Sequence, residues 1–566
     1  MTTATVTEAA SAAPATPYRW RWLVLAIVLA AEIMDLLDST VVNIAAPTIR
    51  KDLGGTYSAI QWIAAGYTLA FAVMLVTGGR LGDIVGRRRM FLIGAAGFTI
   101  SSVLCAFAQS PEMLIGSRVL QGALGAIMIP QGFGVIKMIF PVSELAAAFG
   151  AFGPVMGLSA VCGPILAGGL IDANWFGTGW RMIFLINLPL GLLAFLGAAR
   201  FMPESRASRA TRLDLVGMLL VTAGSLLLVY PLVQGRELGW PAWSYAMMVA
   251  ALPVFGIFVW YERRRESSPL IEAGLFAKRA FSGGLAVIMG FFGAMLGFLL
   301  VFGLFLQVGL GYGPLPAGLA MAPWAIGTAI GAALSGAALG PKFGRKVIHA
   351  GLLAMIVGFA GTWYTLVHYG VTTSAWATAP AVFVTGFGMG LVVAPLFSVI
   401  LAGVAEDEVG TASGVLNAVQ QLGAAVGVAV VGTVFFSLLG SQAGGAAAGQ
   451  TAAVRGALVS AGVTGADQQR IVDGFAACLR DRLTADDPDV VPASCGQVQG
   501  SVAAAARSPE AGQRIGGALA ASGARAVKAD FVDVMRRTTW VAAALIGLTF
   551  LLGFLLPRSA RTDEFA

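Results

Sequence analysis

The chain has 566 residues, 57% of them hydrophobic and 11% charged, with a mean hydropathy of +0.81. Soluble domains carry about a quarter charged residues, so a soluble protein is excluded and a polytopic helical membrane protein is expected. The net charge of +7 sits in short loops between apolar runs, as the positive-inside pattern requires, so no nucleic-acid partner is expected.

Residues 1–19 form an Ala/Thr-rich tail that contains Glu8 and lacks a hydrophobic core region, so no cleavable signal peptide is expected. Fourteen spans are predicted, at 20–46, 57–79, 90–109, 112–135, 144–171, 181–200, 214–234, 243–261, 281–309, 315–339, 346–368, 376–402, 410–438 and 538–557. Span 1 carries Glu32, Asp35 and Asp38 at intervals of three. They share one arc of about 120° and roughly 9 Å of helix axis. A charge near the bilayer centre costs about 2.5–3.5 kcal/mol on the insertion scale, which points to a water-lined path for ions or substrate. A structural hydrogen-bond network inside a helix bundle is the alternative.

The loop after span 2 reads GGRLGDIVGRRR (78–89) and contains Gly79, Asp83, Gly86, Arg87 and Arg88. The loop after span 10 repeats it as GAALGPKFGRK (336–346), which indicates a transporter built from two related halves. Residues 20–200 are expected to form a six-helix bundle, with two additional spans and their linkers in 201–280. The first five helices of the second bundle follow in 281–439, and its last helix in 536–557. Span 4 embeds Arg118 in LIGSRVLQGALGA (114–126). A buried guanidinium keeps its charge and needs a carboxylate or carbonyl, for which the span-1 acids are the obvious partners. The pair could couple to proton movement or be a permanent structural bridge. Span 5 places Gly163, Pro164 and Gly168 in GLSAVCGPILAGG (157–169), where small residues allow close helix approach and the proline loosens the backbone. On span 9, Phe291, Phe292, Phe298, Phe302, Phe305 and Gln307 could line an apolar cavity, or equally pack or face lipid.

Residues 440–535 form a long extracytoplasmic connection in which 466–483 could make an amphipathic helix. Cys478 and Cys495 lie there, where an oxidising compartment permits a disulfide. Cys105 and Cys162 lie inside spans and read as packing residues. Twenty-one Lys and Arg fall in loops on one side, and only Arg50, Lys51, Arg181 and Arg236 in short loops on the other. Both termini, including the tail 558–566, are therefore expected in the cytoplasm. There is no nucleotide-binding glycine loop and no zinc spacing, and the two His are His349 and His368. No enzyme activity, metal or cofactor is expected, which leaves an ion gradient as the energy source.

Several of these stretches resemble one family. The loop 78–89 resembles the cytoplasmic signature of the major facilitator superfamily, in which the acid at the Asp83 position holds the two bundles together on the cytoplasmic side. The second copy has Pro341 there. LIGSRVLQGALGA is similar to the family's helix-4 pattern, which implies that Arg118 responds to proton movement. GLSAVCGPILAGG looks like its antiporter motif, with Ala167 in place of one glycine. LDSTVVNIAAP (37–47), WIAAGYTL (62–69), WRMIFLINLPLG (180–191) and GTASGVLNAVQQLG (410–423) resemble the fourteen-helix drug:proton antiporter branch, with Asp38 as the membrane acid and Asn43 nearby. Ala46 stands where Leu is usual, and Gln420 where many members have Arg.

The resemblance implies an all-α major facilitator fold of two six-helix bundles plus two central spans. It implies a multi-pass, monomeric antiporter of the cytoplasmic membrane that exports amphipathic, cationic drugs or antibiotics in exchange for protons. Asp38 and Arg118 are expected to couple protons, and Glu32, Asp35, Asn43, Phe302, Phe305 and Gln307 to contact substrate. An exporter of an endogenous metabolite, lipid or siderophore is the alternative. A non-transporting receptor using 440–535 is the reading of another class.

Overall fold

A computed structural model describes residues 18–557 apart from 142–143, 145–147, 149–150, 207–212, 236–237, 266–273, 276–277, 402–403, 405–408, 485–490 and 507. Both terminal tails, and Arg209, Arg212, Arg236, Arg558 and Arg561 from the loop charges, lie outside the described residues.

No strand occurs among the described residues. The first half comprises α1 (Arg21–Leu53), α2 (Tyr57–Val85), α3 (Arg87–Ala106), α4 (Pro111–Ile139), α5 (Phe152–Ala173) and α6 (Asn187–Phe201). Two central helices follow, α7 (Leu215–Gln234) and α8 (Ala242–Arg264). The second half begins with α9 (Arg279–Leu304), extended by a π turn at Phe305–Gly309, then α10 (Pro314–Leu334), α11 (Arg345–Tyr369), α12 (Ala375–Leu401) and α13 (Val409–Ala448). Next come α14 (Thr451–Ser460), α15 (Ala466–Thr484), α16 (Ala493–Ala505) and α17 (Pro509–Leu552).

Among the described residues, twelve helices are long and apolar enough to cross a membrane. Helix α1 is not one of them because Glu32, Asp35 and Asp38 interrupt its apolar run. Of α5, only the shorter Cys162–Ala173 counts as apolar. Backbone polar groups are satisfied within each helix, and short side chains close the ends. Thr56, Ser110, Asp214 and Ser508 cap α2, α4, α7 and α17 by accepting a backbone N–H three residues on. Small residues then let helices touch. A Cβ on Gly78 of α2 would sit 2.3 Å from the carbonyl of Ala126 on α4. Outward faces of α6 and α8 leave Leu192, Leu193, Val249 and Leu252 exposed, as a lipid-facing surface does.

The segment after α13 is more than the connection expected at 440–535. Helices α14 to α16 and the start of α17 enclose their own apolar core of Val454, Leu458, Ile471, Val472, Phe475, Val498, Val502 and Ile515. The amphipathic 466–483 stretch is helical within α15. The expected disulfide joins Cys478 of α15 to Cys495 of α16. The last predicted span, 538–557, is the end of a 44-residue helix, about 66 Å long, that runs unbroken from this insertion into the bundle.

At the end of the bundle that carries the insertion, the two halves are zipped together. A Cβ on Gly168 of α5 would lie 2.4 Å from the Pro314 carbonyl, and one on Gly318 of α10 equally close to the Pro164 carbonyl. Asp172 at the end of α5 accepts the Leu315 N–H at 3.0 Å, so one half caps a helix of the other. Tyr57 of α2 packs on Phe436 of α13 at 4.3 Å. The free carbonyls ending α7 join both halves: Val233 accepts from Ser58 of α2 at 2.9 Å, and Leu232 from Thr433 of α13 at 2.5 Å.

Candidate functional site

Three acids on an apolar helix need partners from its neighbours, and α2, α4 and α6 provide them for two of the three. Asp38 and Arg118 are both fully buried and form an ion pair. The carboxylate also accepts from Gln121 Nε2 at 2.9 Å and Asn187 Nδ2 at 2.8 Å, so both of its oxygens are occupied. Gln121 and Asn187 are held in turn by the Ser102 hydroxyl of α3, at 2.7 and 3.1 Å. Arg118 further donates to Gln121 Oε1 at 2.7 Å and to the Ile63 carbonyl at 3.3 Å. Its Nη2 finds no acceptor among the described residues. Its guanidinium instead lies 4.1 Å from the ring centre of Tyr67 and 5.8 Å from that of Phe184.

Tyr67 extends the network, because its hydroxyl donates to Asp35. Gly125 of α4 makes room for that carboxylate, since a Cβ there would approach Asp35 Oδ1 to 3.3 Å. Glu32, the third acid, is buried with Oε1 unpartnered among the described residues. The acids therefore differ by environment: Asp38 is saturated, Asp35 is held by a phenol, and Glu32 keeps a buried oxygen without a partner among the described residues.

Local chemistry shapes the outer part of α1. Ser39 and Thr40 hydroxyls donate back to the Leu36 carbonyl at 2.9 and 3.0 Å, a bond that bends helices. Pro47 has no N–H for the Asn43 carbonyl. A Cβ on Gly303 of α9 would come within 3.2 Å of that carbonyl, and Gln307 Nε2 reaches the Ile44 carbonyl at 2.8 Å. Asn43 and Gln307 are thus brought together.

Phe302 and Phe305 are packed differently. They are buried in an aromatic row in which Phe298 stacks on Phe302 at 5.5 Å and meets Phe359 at 4.9 Å. Asn43 lies 11 residues beyond Glu32, roughly 16 Å along the helix. Of the expected substrate contacts, Glu32 and Asp35 therefore stand at a different level of α1 from Asn43, which lies beside the Gln307 contact to Ile44.

The gating motifs divide between the two ends. Gly163 faces α1, where a Cβ would lie 2.4 Å from Thr40 Oγ1, while Pro164 and Gly168 form the seam with α10. At the arginine-rich end, Asp83 accepts from Arg87 Nη2 at 2.9 Å, and Arg87 Nη1 donates to the Gly134 carbonyl at 3.0 Å. Gly86 takes φ 123° to turn α2 into α3. A Cβ on Gly79 would meet Pro130 at 3.7 Å. Arg88 is tied to the Glu204 carboxylate through its backbone N–H at 3.2 Å and by its side chain to the Ala199 carbonyl. The bridge from Asp83 to the other half, implied by the family signature, is not made among the described residues. Asp83 is taken by Arg87 in its own half, and the halves meet at the opposite end.

Sequence reasoning assigned no role to Gln121, Asn187, Tyr67 or Ser102. Three of them stand inside the stretches quoted above, and the available signal was a lone polar residue in an apolar span.

The model of the Major Facilitator Superfamily matches residues 28–428. The chain belongs to the Major Facilitator Superfamily. It is a multi-pass membrane transporter and not an enzyme. A probable actinorhodin transporter of Streptomyces coelicolor is 49% identical over 557 residues, covering 98% of this chain and 95% of that one. The puromycin resistance protein of Streptomyces alboniger is 36% identical, covering 75% of this chain and 84% of its own. The tetracenomycin C resistance and export protein of Streptomyces glaucescens is 32% identical, covering 75% and 78%. Among solved structures, a bacterial homologue of the lysosomal transporter Spinster superposes with a TM-score of 0.54 at 17% identity, over 95% of this chain and 98% of that one. A D-xylose–proton symporter superposes with a TM-score of 0.51 at 15% identity, over 73% and 90%. These two carry the fold alone.

Proposed function

We propose that the chain exports amphipathic, cationic antibiotics or drugs from the cytoplasm in exchange for protons, by alternating access. In this reading α1 and α5 also cross the membrane, giving fourteen spans. The protein is a monomer of the cytoplasmic membrane, with the arginine-rich end and both termini inside.

The buried Asp38–Arg118 pair carries the reading. A saturated carboxylate–guanidinium pair joining α1 and α4, steadied by α6 through Asn187, is a two-state element. A proton on Asp38 cancels the charge that Arg118 was paired with. The guanidinium must then turn to Gln121, the Ile63 carbonyl and the rings of Tyr67 and Phe184. Asp35 and Glu32, one and two turns away on the same face, offer negative charge to a cationic substrate. The zipped insertion-bearing end supports an inward-open arrangement in which substrate reaches Glu32 from the cytoplasm. The antibiotic export and resistance relatives support the direction of transport. The electrical part of an ion gradient supplies about 2.3 kcal/mol per charge per 100 mV, so one or two protons drive useful extrusion without a cofactor.

A second reading is a dedicated exporter of one compound. It is favoured by the relatives each being named for one compound, and by the probable actinorhodin transporter matching 98% of the chain including the insertion, whereas the two resistance proteins match 75%. Proton-gradient-driven movement of a lipophilic cationic dye in reconstituted vesicles, comparing the native chain with Asp38→Asn, tests the first reading. Movement that the substitution abolishes supports it. No dye movement by the native chain overturns the cationic-drug claim, and gradient-driven movement that survives Asp38→Asn overturns the coupling site.

A further inference from the structure

Helix α17 passes unbroken from the insertion into the bundle, and Asp530 lies where the two meet. One turn before it, Ala526 belongs to the insertion's core, and one turn after it, Val534 belongs to the bundle's. All three share one helix face. Next to it, Phe531 packs on Phe435 at 5.9 Å and occupies the space that a Cβ on Gly309 would need. Gly309 closes the π turn whose Gln307 reaches across to Ile44 in the other half. Asp530 is 2% exposed, and neither of its carboxyl oxygens has a hydrogen-bond partner among the described residues.

The surrounding charges do not neutralise it. Asp533 on the same helix is a like charge and is bonded by Arg536 and Arg537. Lys528, two residues back, projects from the far side of the helix. The part of α9 at this end, its π turn, α13 and α16 carry no Asp, Glu, Lys, Arg, His or Tyr. Helix α11 brings Tyr364, His368 and Tyr369 to this end, all exposed. Arg455 of α14, Asp473, Arg480, Asp481 and Arg482 of α15, and Arg514 and Arg525 of α17 are all exposed, and Arg470 of α15 pairs with Asp467. Asp530 forms no ion pair among the described residues.

An ionised carboxylate buried without a partner is strongly disfavoured, whereas a neutral acid loses far less on burial. We propose that Asp530 is a proton-binding site distinct from Asp38, holding a proton while the insertion is seated and this end is closed. It releases that proton to water when the seam opens. The consequence is a closed end that acid strengthens. Between the ordinary range of a solvated Asp, about 3.9, and the pH at which the packed group ionises, the closed-to-open ratio falls up to tenfold per pH unit, the linkage of a single proton.

The test uses the full chain in lipid nanodiscs with Cys162→Ala, labelled at Phe176→Cys and Trp376→Cys. These positions are 96% and 78% exposed, on opposite halves at this end. Pulsed dipolar spectroscopy reads the distance from pH 5 to pH 8. The closed population should fall with rising pH in the native background, and Asp530→Asn should remove the part of that fall carried by one proton, up to tenfold per pH unit. Asp530→Leu, which needs no partner at all, should lose the same part. If either variant keeps the native pH dependence, or the native protein shows none, the assignment is overturned. The readout needs neither substrate nor gradient, so it stands or falls separately from the transport reading.

Discussion

The Asp38–Arg118 pair permits a quantitative test. Asp38→Asn removes the charge but keeps the shape, leaving Arg118 fully buried with Gln121 Oε1 and the Ile63 carbonyl as acceptors. Breaking a buried pair costs about 3–5 kcal/mol because one charge stays uncompensated. Two acceptors and two ring faces remain, so the lower end applies, about 3 kcal/mol. Arg118→Gln strands the carboxylate instead. Asp38 then keeps Gln121 and Asn187 as donors, and a similar loss is expected. The double substitution strands no charge. It should be more stable than the sum of the singles predicts by about 3 kcal/mol, at the upper end of coupling energies between residues in contact. Thermal unfolding in detergent across the four proteins measures that coupling. Gradient-driven efflux should be lost in all three variants, because restoring stability does not restore a titratable pair. A coupling below about 0.5 kcal/mol would refute the buried-pair energetics. A stable double variant that still exchanges protons for substrate would refute its role in transport.

Other consequences follow from the seam, the insertion and α1. Gly318→Val forces a side chain against the Pro164 carbonyl, so the insertion-bearing end should open, seen as greater thiol labelling of a cysteine placed on α10 near Pro314. Replacing Cys478 and Cys495 by serine frees a loop with a sequence separation of 17; the insertion should lose about 3 kcal/mol and be cleaved faster by protease, while the bundle stays protected. Asp52 accepts from Trp180 Nε1 at 2.9 Å and Arg181 Nη1 at 2.5 Å, bonds that hold its carboxyl below the usual range. A depressed folded-state value gives stability that is present above the unfolded value, about 3.9, and lost as pH falls through the folded one. Asp52→Asn should therefore be less stable than the native chain by a constant amount from pH 5 to 8, at most about 1 kcal/mol for so exposed a group. The two should converge only in stronger acid, as thermal melts across pH will show.

Asp38 and Arg118 were legible because an apolar segment gives two charges few ways to be satisfied except by each other. Glu32 and Asp35 were legible as acids, but which one would stay unpartnered depends on Tyr67, whose facing is set by how α2 packs on α4. Asn187 and Gln121 stood in plain view without a role, since one amide in a hydrophobic run does not reveal which neighbour it meets. Phe302 and Phe305 illustrate the converse. An aromatic at helical spacing suits a cavity wall and a core equally well, and here Phe298 and Phe359 complete the core. The partner of Asp83 depends on which end of the bundle is closed, a property of conformation that one sequence leaves open. The insertion's core was hidden because Ala- and Gly-rich helices have a weak apolar period, and Asp530 was hidden with it.

The forces at the two ends of the bundle differ in kind, and that difference is what the proposed rocking of the halves requires. At the arginine-rich end, charges bind each half to itself. Arg87 holds Asp83 and the Gly134 carbonyl, Arg21 holds Glu144 at 2.7 Å, and Arg345 holds the Leu556 carbonyl at 2.7 Å. At the insertion-bearing end the seam between halves is nearly uncharged. It consists of helix backbones in contact over Gly168 and Gly318, hydroxyls on the Leu232 and Val233 carbonyls in the last turn of α7, and the Asp172 cap. Each such hydrogen bond contributes only about 1 kcal/mol net, because water replaces it when the seam parts. Stiffness within the halves and a weak joint between them are what rigid-body alternation needs. The balance also fixes where a small input acts. In the proposed reading, a proton at Asp38 or at Asp530 is comparable in energy to the seam and small beside the packing of either half, so it would shift the joint and leave the bundles whole.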